Sequence, residues 1–402
     1  MKKILYIAHE NTKSGATHSL INLLDYLPPD IKPYVLIPKT LNIRSVLKKM
    51  KKDLIYSDTL IKELDKRGIP YYQAFYYYEN LKLDIHWLKR KFFTFIRKDE
   101  LKKMKGIVEQ EGIHMIHSNS SVVKFGADLA KLSGIKHIWH VREDVKEMFE
   151  IEKENLRAYY STIISRSEKV VFVSNELRTD FQNVLNYHGI SHDLTKLITV
   201  YDGLPLHTVP VDSTKSCTEA EATVSKPFTI TCIGTVYKIK GQEDLIELAN
   251  KLKQDTNRNY RILIIGQTKK KYYDQLLQKV VEYGVQDMVQ FIDFTNDLVT
   301  LREDSDIEVV CSRKEAFGRV AIEAMDYGNP LIVTAAGGLN EIVDHGQSGL
   351  KYNPGDVEQL YQHVTDVQFN RINVQGMIEK GKLRAREFDI RTCVMKVCEL
   401  YV

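Results

Sequence analysis

The sequence has little of what marks several specialised protein classes. Its five cysteines are scattered without a CxxC pair, so neither a zinc site nor a disulfide framework is indicated and a reducing cytoplasm fits best. The net charge of +4 argues against a dedicated nucleic-acid binder. No segment approaches the roughly 20 apolar residues of a membrane span. The first apolar run ends at Ala8, too short for a signal-peptide core.

The rest of the composition is ordinary for a soluble globular protein, with 43% hydrophobic and 27% charged residues. A length of 402 residues favours two domains of about 150 to 200 residues. Strand, turn and helix patterns alternate in both halves, which predicts α/β domains with parallel sheets. The stretch from 207 to 227 is rich in Ser, Thr, Pro and acidic residues and lacks periodicity. We therefore predict domains over 1–205 and 227–385, a linker over 206–226 and a final helix within 386–402.

The most informative stretch runs from Ile307 to Leu350 and is typical of a β-α-β-α unit. Ligands of open parallel sheets bind at the carboxyl ends of the strands. The first turn leaves amides near Gly318 and Arg319 at a helix N-terminus, which suits a phosphate. Glu315 precedes this helix and Glu323 lies inside it, so a nucleotide sugar fits the arrangement. Two such glutamates are also commonly partners of the helix dipole, which is the alternative interpretation.

Two places in the first half are candidates for ligand contacts. Gly15 follows the first strand and would let the backbone approach a ligand, although a simple loop glycine explains it equally well. His140, Arg142 and Glu143 form a polar cluster at the end of another predicted strand. A lone histidine is more often a satisfied core residue.

A basic and aromatic segment covers residues 85–105, where four aromatic residues alternate with eight Lys and Arg residues. Such a helix is typical of a surface that rests on anionic lipid headgroups. A solvated helix with its aromatic side chains packed inward is the alternative. The basic residues of this segment are Lys89, Arg90, Lys91, Arg97, Lys98, Lys102, Lys103 and Lys105.

Several motifs together resemble the retaining GT-B glycosyltransferases of family 4. They are Lys240-Gly241, Glu315 with Phe317-Gly318, Glu323 in an E-x7-E spacing, and Gly337-Gly338 followed by Glu341. The resemblance implies two doubly wound Rossmann-like domains that face each other across a cleft, with the last helix crossing back to the first domain. It also implies transfer of a sugar from a nucleotide diphosphate donor, with retention at the anomeric carbon.

The resemblance further implies roles for single residues. His140, Glu315 and Lys240 would be catalytic, with Lys240 at the donor pyrophosphate and Glu315 at the donor sugar. Glu323 would accept hydrogen bonds from the ribose hydroxyls. Arg142 and Glu143 would orient the sugar or the acceptor. The residues expected to bind the donor are Gly15, Lys238, Phe317, Gly318, Arg319 and Glu323. For Lys238, simple surface exposure is the alternative.

Substrates and location follow from the same resemblance. A UDP-sugar is favoured and a GDP-sugar stays open, because Asp293 stands where relatives usually have Gly near the nucleobase. The acceptor would be a glycan or lipid-linked hydroxyl in bacterial surface polysaccharide synthesis, reached from the cytoplasm or the inner face of the membrane. No DxD-type motif stands out, so neither a metal nor another cofactor is expected.

Two alternatives to this enzyme stay open. One reason is Thr235, which stands where relatives often carry an arginine. If the enzyme is active, Lys238 or Arg319 would have to supply the second positive charge at the pyrophosphate. The alternatives are a non-catalytic GT-B subunit that binds an acceptor and a sugar-nucleotide epimerase of the same fold.

Overall fold

A computed structural model describes residues 1–12, 14–39, 59–76, 87–144, 153–206, 226–254, 259–295 and 297–402, with side chains of 87–95 and 153–155 excepted. The chain divides into two compact units. The first comprises Met1–Gly203 together with Ile390–Val402, and the second comprises Leu204–Asp389. Residues 207–225 of the predicted linker lie outside the described residues.

The first unit contains a parallel sheet of seven strands in the order β3-β2-β1-β4-β5-β6-β7. The strands are Lys2–Ile7 (β1), Ile31–Pro38 (β2), Tyr71–Ala74 (β3), Met115–Ser118 (β4), Lys136–Val141 (β5), Lys169–Phe172 (β6) and Leu197–Thr199 (β7). The helices are Gly15–Asp25 (α1), Thr59–Arg67 (α2), Trp87–Glu111 (α3), Phe125–Ser133 (α4), Lys153–Ser165 (α5) and Asn175–Tyr187 (α6).

The second unit contains a parallel sheet of six strands in the order β10-β9-β8-β11-β12-β13. The strands are Phe228–Ile233 (β8), Tyr260–Ile265 (β9), Val289–Ile292 (β10), Ile307–Val310 (β11), Leu331–Thr334 (β12) and Leu350–Tyr352 (β13). The helices are Glu243–Leu252 (α7), Lys270–Tyr283 (α8), Leu298–Glu303 (α9), Arg319–Tyr327 (α10), Leu339–Ile342 (α11), Val357–Gln368 (α12) and Val374–Arg386 (α13).

Apolar strands of both sheets are buried, as their sequences predict. The inner part of β1 and all of β4 and β12 are buried, because helices cover both faces of a parallel sheet. Helix α1 begins where Ser14 Oγ accepts a hydrogen bond of 3.2 Å from the amide of Thr17. The predicted α/β class with two doubly wound sheets is confirmed.

The C-terminal helix Ile390–Cys398 (α14) belongs to the first unit. Its apolar side chains join the core beneath β1 and α1. The hydroxyl of Tyr401, which follows this helix, donates a hydrogen bond of 2.9 Å to Tyr6 and lies 2.6 Å from Nδ1 of His117. The last turn of the chain is thereby fixed to two strands of the first sheet. Within the described ranges, every helix is too short or too polar to span a bilayer.

Candidate functional site

The second unit brings a lysine and a glutamate together at the carboxyl edge of its sheet. The turns after β8 and β11 place Lys240 Nζ 2.5 Å from Glu315 Oε2. Ser312 Oγ donates a second hydrogen bond of 3.1 Å to the same carboxylate oxygen. The two strands are neighbours in a parallel sheet, so the turns that follow them end side by side. Both side chains keep some exposure, at 33% and 15%, and are accessible to a ligand.

Glycines bring these turns into contact. A Cβ on Gly241, whose φ is +66°, would lie 2.1 Å from the carbonyl oxygen of Cys311. A Cβ on Gly337, at φ +55°, would lie 1.9 Å from the carbonyl oxygen of Glu315. The amide of Gly338 donates a hydrogen bond of 2.8 Å to that same oxygen. The backbone that carries Glu315 is therefore packed directly against the Gly337-Gly338 turn, which only glycine permits.

Helix α10 begins beside this pair. Gly318 is its N-cap at φ +114°, and no side chain caps this end in the described structure. Phe317 is buried, with its ring edge-on to Phe388 at 5.9 Å between centroids. Arg319 is half-buried in the first turn. A helix N-terminus with a nearby arginine and Lys240 is an electrostatically favourable place for a phosphate.

Glu323 lies further along α10 and faces a buried ion pair. Arg302 contacts Glu323 Oε2 through Nη2 at 3.4 Å, while its Nε and Nη2 bind both oxygens of Glu308 at 3.0 and 3.2 Å. Burial raises the pKa of the Glu308 carboxyl, an effect that the charge of Arg302 opposes. Among the described residues, Glu323 Oε1 has no hydrogen-bond partner.

A second ion pair, between Arg313 and Asp244, connects the same two turns. The guanidinium of Arg313 binds both oxygens of Asp244 at 2.7 and 2.5 Å, and the amide of Arg313 donates a 2.8 Å hydrogen bond to the carbonyl of Ile239. Asp244 is almost fully buried in the first turn of α7. The strand-end turns that carry Lys240 and Glu315 are therefore tied together by side chain and backbone.

In the first unit, His140 is completely buried on β5. Its ring stacks on His117, with centroids 5.4 Å apart, and its Nδ1 lies 3.3 Å from Nη2 of Arg142. Burial, with the charge of Arg142 adding to it, lowers the pKa of His140 well below its usual value. A guanidinium only donates, so Nδ1 accepts and the neutral ring carries its proton on Nε2. Nε2 has no hydrogen-bond partner within the described residues.

Arg142 and Glu143 are held by separate sets of partners. Arg142 binds Asp202 at 2.7 Å and Asn119 at 3.0 Å, and the other oxygen of Asp202 accepts a hydrogen bond from Ser19 at 2.5 Å. Glu143 Oε1 accepts three hydrogen bonds of 2.7 Å from the turn after β4. The donors to Glu143 are Ser120 Oγ, Ser121 N and Ser121 Oγ. Both charged groups therefore also serve to connect strand ends of the first sheet.

Two predicted donor contacts stand apart from these clusters. Gly15 is exposed as the first residue of α1, and a Cβ there would meet no atom within 4 Å. Lys238 is exposed in the short 3₁₀ turn that also contains Lys240. Neither residue contacts a predicted catalytic side chain of its own unit among the contacts described. For Lys238, the structure has the surface position that its sequence context also allowed.

Arg302, Arg313 and Ser312 were not singled out from the sequence. One feature of the sequence could have indicated Arg302: Glu308 is the charged residue in the otherwise apolar strand IEVV. A carboxylate inside a buried strand requires a cationic or hydrogen-bonding partner. Arg302, six residues earlier, is that partner. The described residues contain no group of three or more His, Cys, Asp or Glu side chains placed to hold a metal ion.

Comparison with known proteins gives a consistent set of relatives. Residues 216–384 match the family model of glycosyl transferases group 1. An uncharacterized glycosyltransferase, MJ1178 of Methanocaldococcus jannaschii, is 25% identical over 308 residues, which cover 74% of this chain and 77% of the relative. D-inositol 3-phosphate glycosyltransferase of Corynebacterium efficiens is 25% identical over 228 residues, covering 54% of this chain and 51% of that enzyme.

Solved structures extend the likeness to the whole chain. Anabaena Alr3699/HepE in complex with UDP superposes with a TM-score of 0.74 at 18% identity and covers 99% of both chains. A glycosyltransferase from Rickettsia africae gives a TM-score of 0.74 at 20% identity, covering 100% of this chain and 97% of the other. At such identities the likeness shows the fold alone, which is the GT-B fold of two Rossmann-like domains.

Proposed function

We propose that this chain, a glycosyltransferase of the group 1 type, moves a sugar from a nucleoside diphosphate sugar to an acceptor hydroxyl with retention at the anomeric carbon. One observation carries the proposal: Lys240 and Glu315 meet at 2.5 Å at the carboxyl edge of the second sheet, beside the N-terminus of α10. This supports a site in which a cation and helix amides would bind a diphosphate next to a carboxylate that would bind sugar hydroxyls.

The chemistry follows from where charge develops. As the bond between the anomeric carbon and the phosphate oxygen breaks, negative charge grows on the leaving diphosphate. Lys240, the first turn of α10 and Arg319 within that turn would stabilise this charge, which lowers the barrier. The acceptor oxygen then bonds to the anomeric carbon from the same face. Its proton passes to the departing phosphate oxygen, so no protein nucleophile is required.

Glu315 has a double role in this proposal. Its Oε2 is bound to Lys240 and Ser312, which fixes the carboxylate in position. With the donor bound, the carboxylate accepts hydrogen bonds from sugar hydroxyls while Lys240 turns toward the diphosphate. The pair is partly exposed and its mutual stabilisation is about 1 kcal/mol or less, so a dianionic ligand can compete for the lysine.

His140 acts on the sugar as a neutral hydrogen-bond donor in this proposal. Its lowered pKa keeps the ring uncharged at neutral pH, and the contact of Nδ1 with Arg142 leaves the proton on Nε2. The side chain is fully covered, so a sugar hydroxyl reaches Nε2 only after the covering residues move. Arg142 fixes the tautomer, and Glu143 shapes the neighbouring turn.

The donor we favour is a UDP-sugar, with a GDP-sugar as the alternative. Solved structures of the similarly folded Alr3699/HepE contain UDP and UDP-glucose, which supports uridine. Lys240 and Arg319 supply the positive charge that the leaving group needs. We therefore propose that turnover needs neither a metal ion nor another cofactor, and that it persists in excess EDTA.

The acceptor in this proposal is a glycan or lipid-linked hydroxyl at the inner face of a bacterial membrane. Helix α3 supports it, because Lys98, Lys102 and Lys103 are exposed on its described part. The side chains of Lys89, Arg90 and Lys91 lie outside the described residues. Charge reversal of Lys98 and Lys102 should reduce binding to vesicles with 30% phosphatidylserine, measured by sedimentation. Unchanged binding would remove this helix from the membrane contact.

The function is tested by measuring nucleotide release from a panel of UDP-, GDP- and dTDP-sugars, with and without candidate acceptors. We expect slow hydrolysis of one donor class without acceptor and faster release when a suitable acceptor is present. The anomeric proton coupling of the product, measured by NMR, should show the configuration of the donor. A protein that binds and turns over none of these donors would contradict the proposal, and inverted product would contradict retention alone.

A further inference from the structure

We infer that Arg302 is a positioning residue that holds Glu323 for recognition of the donor ribose hydroxyls. The inference rests on the proposed function, in which Glu323 accepts hydrogen bonds from the donor ribose hydroxyls, as the family resemblance implies. What it adds is the role of Arg302. Its basis is the arrangement of Glu308, Arg302 and Glu323, which come from β11, α9 and α10. The three side chains form a chain of contacts from the sheet interior to a partly exposed carboxylate, which we call the Arg302 triad.

The inner half of the triad is rigid. Glu308 is 0% exposed on a central strand, and both of its oxygens bind the guanidinium of Arg302. Two parallel contacts fix the plane of a guanidinium as well as its position. Arg302 is itself buried, so it has no alternative partner in solvent. Its Nη2 is therefore directed toward α10 by a contact that does not depend on the ligand.

The outer half of the triad leaves one oxygen available. Nη2 of Arg302 is shared between Glu308 Oε1 at 3.2 Å and Glu323 Oε2 at 3.4 Å. Two carboxylates share one guanidinium, so the contact of Glu323 with Arg302 does not use up its capacity to accept hydrogen bonds from hydroxyl groups. Its side chain is 30% exposed, and Oε1 has no partner among the described residues. The arrangement orients this carboxylate without neutralising it.

The position of Glu323 fits a ribose rather than a second phosphate. It lies five residues after Gly318, or about 7.5 Å along the helix from the N-terminus that would bind the diphosphate. A carboxylate repels a phosphate and accepts hydrogen bonds from a vicinal diol, such as the 2′- and 3′-hydroxyls. Arg319 lies one turn earlier on the same face of the helix. Its positive charge favours a phosphate, whereas the carboxylate of Glu323 disfavours one. The helix thus separates recognition of the diphosphate from recognition of the ribose.

The experiment compares the affinities of UDP and 2′,3′-dideoxy-UDP by isothermal titration calorimetry on the full chain. Charge-assisted hydrogen bonds from the two hydroxyls should make UDP bind about 10- to 100-fold more tightly to the wild type. Glu323→Gln should reduce this ratio to about threefold or less, because the amide is a weaker acceptor. GDP and its dideoxy analogue replace this pair if guanosine is the better base.

Variants of Arg302 test the positioning role. Arg302→Gln combined with Glu308→Gln removes the buried charges together and leaves Glu323 without its anchor. The ratio of affinities should fall to about threefold or less, while UDP still binds through its diphosphate. Arg302→Lys gives a second test, because an ammonium keeps the positive charge beside Glu308 but lacks the planar guanidinium that contacts two carboxylates at once. This variant should also lower the ratio of affinities. Arg371→Gln, at an exposed arginine of the same unit, is the control and should leave the ratio unchanged.

The outcomes are separable. If the wild type binds no nucleoside diphosphate, the proposed function fails and the inference fails with it. If the wild type prefers UDP and both Arg302 variants keep the full ratio with cooperative thermal unfolding, the inference alone is wrong. If the double variant does not fold, Arg302→Lys decides by the same ratio. A merely structural role would lower stability and the affinity for both ligands equally, without changing their ratio.

Discussion

Replacing Gly337 by alanine should displace the turn that carries Glu315. Gly337 has φ +55°, and an added Cβ would lie 1.9 Å from the carbonyl oxygen of Glu315. The left-handed conformation costs an alanine about 1 kcal/mol or more, and forced overlap in a packed region adds about 1–3 kcal/mol. The total loss in free energy of unfolding is therefore about 2–4 kcal/mol. Turnover should fall as well, because Glu315 and the backbone near Lys240 move apart.

Gly346→Ala is the matched control for this substitution. Gly346 is in the same unit with φ +72°, but an added Cβ there meets no atom within 4 Å. It should cost only the conformational strain of about 1 kcal/mol and leave donor turnover unchanged. Urea unfolding and nucleotide release from the donor, measured on both variants, separate strain from contact. Equal stability and equal turnover of the two variants would refute the role given to the Gly337 contact.

Two further predictions concern buried charge. Arg302→Gln alone should lower the free energy of unfolding by about 3–5 kcal/mol at pH 7.5, because it leaves the Glu308 carboxylate buried without a cation. Burial already raises the pKa of Glu308, so the difference from wild type should shrink as pH falls and Glu308 becomes protonated. Urea unfolding at pH 7.5 and 5 measures this, and a pH-independent difference would contradict it. Burial also lowers the pKa of His117 and His137 to about 3 and that of His140 well below 6.5. Stability should therefore decline as pH falls below 6.5, by about 1.4 kcal/mol per pH unit for each histidine. His137→Gln should make the decline shallower, and an unchanged slope would exclude His137 from it.

The position of the turns that follow the strands of the second unit can be predicted from the sequence. Apolar strands, glycine turns and helix starts follow one another closely there, and parallel topology brings successive strand ends to one edge. The family resemblance predicts that Lys240 and Glu315 contact the same donor, which implies that the two residues lie close together. It did not predict their direct contact at 2.5 Å, because that depends on the close backbone approach of Gly241 and Gly337.

The polar cluster of the first unit was harder to predict. His140, Arg142 and Glu143 were expected at one strand end, but their partners come from distant parts of the chain. Asp202, which binds Arg142, is 60 residues away. The contact of His117 with Tyr401 spans 284 residues. Local patterns show that a strand ends in polar residues, and only the tertiary structure decides which of them are already paired.

We propose that the Lys240 and Glu315 pair forms the donor site of a glycosyltransferase. The most direct test of this claim is donor turnover by Lys240→Met and Glu315→Ala, with Lys270→Met as the control at an exposed lysine of α8. We predict a loss in kcat of about 100-fold or more for Lys240→Met, as expected for a removed electrostatic contact to a leaving group. Glu315→Ala should abolish transfer in a folded protein, and Lys270→Met should match the wild type. Turnover by either site variant within about twofold of wild type, an energy difference of about 0.4 kcal/mol, would contradict the claim.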